Sequence, residues 1–296
     1  MNNMKKSYCI ICYDILKLKI SNHVRDSNHH KVFQCSKCKH VQLNPIPSIE
    51  EDKVFYDNNL QEKNVEYHGS IKDNRKKSIH DLNRRVEFVE KITPKNRKIL
   101  EIGSGYGFFL EQMKKKNYDI VGIEVSKERR IISKKITNAK VLDVNFMSDD
   151  VKLGKFNTIV LFHVLEHISN LELFLKNIKK MLYKHGKVII EVPNFDDYQI
   201  KINHEYEEWN LQRAHLHYFT PKTIKLILQK YGLKNVKIFG VQRYGLGNMF
   251  NWKINRKPQL ENPLFEFKEG YEEIENNYKK YHEKNLISDT LIVIWY

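Results

Sequence analysis

The sequence predicts an α/β fold: a parallel sheet covered by helices on both faces, preceded by a small cysteine-bearing module. Three observations predict it. Apolar strand-like runs alternate with amphipathic helical segments from about residue 73 onward. A turn with glycines at 103, 105 and 107 joins the first core strand to a helix. All four cysteines fall within the first 38 residues.

The elements follow in order. Asp73 to Ile92 carries Ile79, Leu82, Val86 and Val89 at helical spacing, and Pro94 ends that helix. Lys98 to Ile102 is a buried strand that stops beside an acidic residue, Glu101, and a helix begins at Phe108. A second strand, Asp119 to Val125, carries Glu124 near its tip. Ser126 caps a helix running to about Ile136, and Lys140 to Val144 is a third strand bearing Asp143. Phe156 to Phe162 is an apolar run suited to a buried fourth strand. Leu171 through Leu182 marks one face of a helix that Gly186 stops, and Val188 to Val192 is a fifth strand. Thr220-Pro221 opens a further helix ending at Gly232. Val236 to Val241 and Thr290 to Tyr296 supply two more strands. Residues 242–288 form a long insert between them, expected as a lid or partner surface. The expected organisation is a metal-binding module over 1–46, a linker with helices over 47–95, and the sheet domain over 96–296.

Cys9-x-x-Cys12 and Cys35-x-x-Cys38 form two paired ligand turns with no cysteine left over. Two such turns place four thiolates for tetrahedral Zn²⁺. A closed four-thiolate site leaves no position for chemistry, so the expected role is structural. Iron in a rubredoxin-like site is the alternative, and two disulfides are the weaker reading for a reducing compartment. The segment is too small to bury a core by itself, so metal would supply much of its folding energy. His23, His29, His30 and His40 are expected at the surface. Asn44-Pro-Ile-Pro47 ends the module.

Net charge is +15, but only 10 of the 51 basic residues are arginine. Arginine is the residue suited to bidentate phosphate and base contacts. The lysine excess therefore reads as solvated helix faces before it reads as a nucleic-acid surface. No apolar run is long enough to span a membrane, and Met1 to Tyr8 lacks a signal-peptide core. A cytoplasmic chain is expected.

The glycine turn and the strand-tip carboxylate together describe a nucleoside site at one edge of the sheet. A nicotinamide dehydrogenase would show G-x-G-x-x-G; here the run is E-x-G-x-G-x-G. With Ile99–Gly107, Gly122-Ile-Glu124, Phe162-His-Val-Leu-Glu-His-Ile168, Met181–Asn194 and His217-Tyr-Phe-Thr220, the chain resembles the class I S-adenosylmethionine-dependent methyltransferases over about residues 70–296. The resemblance implies their seven-stranded Rossmann-like sheet with its last strand antiparallel. It implies that Gly103, Ser104, Gly105 and Gly107 line the methionine part of S-adenosylmethionine, with Glu101 beneath. Glu124, next to Val125, would bind the ribose hydroxyls. Asp143 would lie near the adenine, and Leu161 to His163 would close the pocket beside the sulfonium.

A cysteine module ahead of this core is similar to bacterial sugar methyltransferases, including C-methyltransferases acting on nucleotide-linked deoxysugars. Two departures matter. The extra C-terminal domain of those enzymes is not expected, and their Glu-His pair reads here as Ala214-His215. The missing carboxylate argues against deprotonating a carbon and favours transfer to oxygen, with nitrogen as the alternative acceptor.

A hydroxyl acceptor needs a base near neutrality, and histidine fits. His215 is the first candidate and His167 the second, with Tyr67 lining the pocket by the same resemblance. A role bracing the following helix is the competing reading for His167. Polar density at Arg213, His215, His217 and Tyr218 points to a site in that loop. The expected acceptor is a sugar, a nucleotide sugar or a phosphorylated precursor of surface polysaccharide. The alternatives are an RNA base methyltransferase whose Zn²⁺ module holds RNA, and an inactive protein that binds the methyl source and docks a partner.

Overall fold

The computed structural model describes residues 7–57, 70–148, 151–258 and 270–296. Tyr67 lies outside the described residues. In chain order the elements begin with strands β1 (Leu18–Ser21), β2 (Lys31–Gln34) and β3 (Val41–Asn44) and helices α1 (Ile49–Asp57) and α2 (Ile71–Ile92). Next come β4 (Lys98–Ile102), α3 (Phe108–Lys115), β5 (Asp119–Ile123), α4 (Lys127–Thr137), β6 (Lys140–Leu142) and β7 (Phe156–Phe162). A 3₁₀ turn (Leu165–His167) leads to α5 (Leu171–Lys180), β8 (Leu182–Pro193), α6 (Tyr198–Ile202) and α7 (His204–Asn210). The chain continues through β9 (His217–Tyr218), α8 (Pro221–Lys230), β10 (Val236–Val241), α9 (Leu246–Asn255), α10 (Glu272–Lys284) and β11 (Thr290–Trp295).

The main sheet has seven strands in the order β10-β11-β8-β7-β4-β5-β6. β4 runs parallel to both β5 and β7, and β5 parallel to β6. This is the Rossmann-like arrangement that the alternation of strands and helices predicts. A second sheet has the order β1-β2-β3-β9.

The chain divides into two compact units. One holds 49–165, 170–190 and 294–296. Two of its helices start where a side chain provides partners for the exposed N–H groups. Ser70 and Asp73 form a reciprocal capping box at α2, and Ser126 accepts from the Arg129 N–H at α4. Leu82, Val86 and Val89 bury the inner face of α2, while Ile79, nearer the helix start on that face, is 37% exposed. The segment around Gly186 departs from expectation. α5 ends at Lys180 and β8 already starts at Leu182, running through Gly186. A Cβ at Gly186 would stand 2.8 Å from Leu182 Cδ2 and 3.1 Å from the Tyr183 carbonyl. This glycine permits close approach within a strand and does not stop a helix.

The other unit holds 1–48, 166–169 and 191–293. Its four-stranded sheet explains how so small a cysteine module acquires a core. β9 pairs antiparallel with β3, setting Tyr218 opposite Val41 and His217 opposite Gln42. Val24, Val32, Val41 and Leu43 then pack with Leu211, Leu216 and Tyr218. Arg25 extends the join, donating to the Trp209 carbonyl at 3.0 Å and to Gln212 Oε1 at 2.7 Å. Lys230 Nζ donates to the Ile11 carbonyl at 2.6 Å, tying α8 to the first cysteine turn.

Candidate functional site

The glycine turn is left-handed at all three glycines: φ is +74° at Gly103, +55° at Gly105 and +82° at Gly107. Only glycine adopts these values without strain. A Cβ at Gly103 would stand 2.5 Å from Val164 Cγ2, whereas one at Gly105 would meet nothing within 4 Å. Gly105 therefore borders open space. The N–H groups of Gly103 and Ser104 both donate to the Ile123 carbonyl at 2.9 Å, binding the turn to the end of β5.

Glu124 follows β5 and is buried. Its Oε2 accepts from the Gly105 N–H at 2.7 Å and its Oε1 from the Ser126 N–H at 2.8 Å. Each carboxylate oxygen keeps a second lone pair for a hydroxyl. Glu101 is 4% exposed. Burial pushes its carboxyl well above the usual range, against the pull of Arg85 and with the help of Glu124. Glu101 Oε2 and Ser104 Oγ are buried without a hydrogen-bond partner among the described residues. Two such orphans within a few residues of the glycine turn fit a polar ligand there. Asp143 lies just past β6, its side chain 65% exposed and paired to Arg130 at 2.8 Å. Val125 is exposed, and His163 holds φ +55° directly after β7.

The second unit gathers histidines. His167 Nδ1 lies 2.6 Å from the Ala214 carbonyl. A carbonyl only accepts, so Nδ1 carries the hydrogen and the lone pair sits on Nε2. Glu166 Oε1 is 3.9 Å from that Nε2. The rings of His167 and His215 are 5.1 Å apart, and Gln212 Nε2 is 2.9 Å from His215 Nε2. The two histidines singled out in the sequence therefore stand together.

His217 differs. It is 1% exposed, and its Nε2–H donates to the Ile168 carbonyl at 3.0 Å. Its Nδ1 then accepts from His40 Nε2 at 3.2 Å. Burial pulls His217 down to about 4. His217 is a neutral strut, and His40, expected at the surface, is wholly buried as the other half of that pair. Arg213 is also buried, its N–H bonded to Asp26.

A concave pocket beside His215 is lined by Asn194, Asp197, Tyr206, Asn210 and Asp289. No motif foreshadowed the two aspartates, which are 92 positions apart. Burial, then the charge of Asp289, pushes Asp197 up to about 7. Asp289 Oδ2 accepts from Gln242 Nε2 and the N–H groups of Arg243 and Tyr244, while Oδ1 is buried without a partner among the described residues.

The four cysteines are all free thiols. Cys9 Sγ is 3.4 Å from Cys38 Sγ, and Cys12 Sγ is 3.4 Å from Cys35 Sγ. All four sulfurs lie within 4.8 Å of one another. Zn–S bonds of about 2.3 Å give tetrahedral edges close to these spacings. Burial pushes the Cys9 and Cys38 thiols up, Cys38 to about 11, so a set of four thiolates needs a cation among them. The cluster could form a Zn²⁺ site. No helix among the described residues is long and apolar enough to cross a membrane.

The sheet and glycine turn define a class I S-adenosylmethionine-dependent methyltransferase. Residues 74–238, more than half of the chain, match the family described as methyltransferase domain, and the chain belongs to that family. A ubiquinone biosynthesis O-methyltransferase of Coxiella burnetii is 23% identical over 188 residues, 59% of this chain and 80% of that protein. An uncharacterised protein of Methanocaldococcus jannaschii is 28% identical over 156 residues, 51% of this chain and 71% of its own. Among solved structures, a methyltransferase of Thermotoga maritima, described as a possible histamine N-methyltransferase, superimposes with a TM-score of 0.51 at 16% identity. That match covers 76% of this chain and 95% of the other, and it speaks to the fold.

Proposed function

We propose that the protein methylates a hydroxyl group of a small polar acceptor, a sugar, nucleotide sugar or phosphorylated saccharide precursor. The observation that carries this reading is the pocket of Asn194, Asp197, Tyr206, Asn210, His215 and Asp289. Asn194 donates to the Leu286 and Ser288 carbonyls, Asn210 to the Tyr206 carbonyl, and Asp197 accepts from the Gln199 N–H, so these groups form a fixed polar wall suited to a hydroxyl-bearing ligand. Asp289 Oδ1, buried without a hydrogen-bond partner among the described residues, is a group such a hydroxyl would satisfy.

S-adenosylmethionine, when bound, supplies a methyl group already activated on a sulfonium. The remaining work belongs to the chain. Gly103, Ser104, Gly105 and Gly107 admit the methionine part, and Glu124 holds the ribose diol with lone pairs the backbone leaves open. Glu101 lies beneath, with Asp143, Val125 and His163 completing the site. The acceptor proton passes to the His167–His215 pair, with His215 as first candidate for the base. His167 is set in one tautomer by Ala214 and serves as its partner or substitute. Four thiolates hold a structural Zn²⁺ in the reading proposed for Cys9, Cys12, Cys35 and Cys38.

Calorimetric titration with a panel of nucleotide sugars, a quinone precursor and bulk RNA tests the acceptor. Binding confined to sugar-linked compounds, and weakened at least tenfold by Asp289→Asn, is expected. Binding confined to RNA or the quinone precursor would overturn the assignment.

A further inference from the structure

We infer that Glu166, His167 and His215 form a binding site for a divalent transition-metal cation, separate from the four-cysteine cluster. One carboxylate oxygen and two imidazole nitrogens, with all ligand atoms within 4.8 Å of one another, make up the group. Cation bonds of about 2.0–2.2 Å to such ligands would draw these atoms inward by roughly an ångström. Rotation of the two imidazoles, each only part-buried, supplies that movement.

The surroundings match a ligating set. Metal-bound histidine ordinarily donates its second ring N–H to a carbonyl or carboxylate, which fixes the tautomer. His167 does this through Nδ1 to Ala214, leaving the Nε2 lone pair on the side of Glu166. Glu166 is 1% exposed, and a carboxylate so deeply buried is stable as an anion only with positive charge or hydrogen bonds nearby. Its backbone is pinned to the same loop, because the Leu216 N–H donates to the Glu166 carbonyl at 2.8 Å. Thus Ala214, His215 and Leu216 deliver both the carbonyl that orients His167 and the contact that anchors Glu166. Gln212 Nε2 lies 2.9 Å from His215 Nε2 and 3.2 Å from its Nδ1, and Gln212 Oε1 is itself held by Arg25. A cation would displace one neutral amide contact, which is weaker than a bond to a charged group. Mixed nitrogen and oxygen ligands select first-row divalent ions, and three protein ligands leave open positions.

The consequence rests on the proposed hydroxyl acceptor. An acceptor hydroxyl bound at an open position would lose its proton to solvent more readily, since a divalent cation lowers the pKa of bound oxygen. The oxygen–carbon bond then forms as the carbon–sulfur bond breaks, its electron pair returning to sulfur. With the cation bound, the two histidines act as ligands and the proton leaves to solvent; in the metal-free chain His215 keeps its proposed role as base.

Mn²⁺ titration of the full chain, followed by electron paramagnetic resonance, tests the site without relying on activity. Hard Mn²⁺ discriminates against the four-thiolate cluster. The expected result is one bound Mn²⁺ per chain, with affinity reduced at least tenfold in Glu166→Gln and in His215→Ala. Zinc content and far-ultraviolet circular dichroism should match the parent chain; should Glu166→Gln fail to fold, the part-buried His215→Ala decides. No Mn²⁺ binding, or equal binding by the variants, would overturn the assignment. Retained Mn²⁺ binding without methyl transfer to any sugar compound would contradict the acceptor reading and leave the cation site intact.

Discussion

Gly105 donates its backbone N–H to Glu124 Oε2 at 2.7 Å, joining the glycine turn after β4 to the carboxylate after β5. One side chain thereby shapes the turn and presents oxygen to whatever occupies it. Glu124→Ala should weaken S-adenosylmethionine binding by about tenfold to a hundredfold, as expected for a hydrogen bond to a charged group. Calorimetry reads the change. Unchanged affinity would show that the turn needs no such tether and that Glu124 holds no ribose.

The paired rings of His167 and His215 give the next expectation. His215→Ala should lower turnover by about 10²–10⁴ with little effect on S-adenosylmethionine affinity. His167→Ala should have a smaller effect if His215 is the base. Steady-state rates beside calorimetry separate the two variants. Full turnover in both would remove the histidines from the chemistry.

The cysteine cluster predicts metal dependence of folding. Cys35→Ser should abolish stoichiometric zinc, measured by elemental analysis, and lower the melting temperature by several degrees. The loss should reach beyond residue 46, because β3 pairs with β9 and the shared core includes Leu211, Leu216 and Tyr218. A metal-free variant of parental stability would contradict a structural site.

Asp197 predicts a pH effect on stability. Its pKa is about 7 in the folded chain, raised first by burial and then by the charge of Asp289. An unfolded aspartate titrates near about 3.9. Between those values the native state keeps a proton that the unfolded state has lost. Stability therefore falls as pH rises through this window, by at most about 1.4 kcal/mol per pH unit from this group. Urea midpoints of the parent should drop more between pH 5 and pH 8 than those of Asp197→Asn. Parallel pH profiles would contradict the assignment.

Much of the fold was legible because it is written locally. Ser126 before a helix, Pro221 after Thr220 and glycines at left-handed positions each specify backbone without distant partners. Gly186 misled because a glycine reads alike as a helix stop and as a close approach within a strand. Packing decides between them. In the site, the E-x-G-x-G-x-G turn and the strand-tip Glu124 were readable as motifs. The pairing of His167 with His215 was not, since 48 positions separate them and it depends on long-range contacts such as His167 to the Ala214 carbonyl and the Leu216 N–H to the Glu166 carbonyl. His40 was misplaced at the surface for the same reason. Its burial depends on His217, supplied by a strand far along the chain. Glu166 stands inside the Leu165-Glu-His167 run, where an acidic residue beside a histidine is the available signal.

The central claim is methyl transfer from S-adenosylmethionine to a hydroxyl of a small saccharide-like acceptor. Incubation with methyl-labelled S-adenosylmethionine, alongside both a panel of sugar nucleotides and bulk RNA, tests it most directly. The account predicts label in a sugar compound as an O-methyl ether, lost in His215→Ala. Label found only in RNA would contradict it.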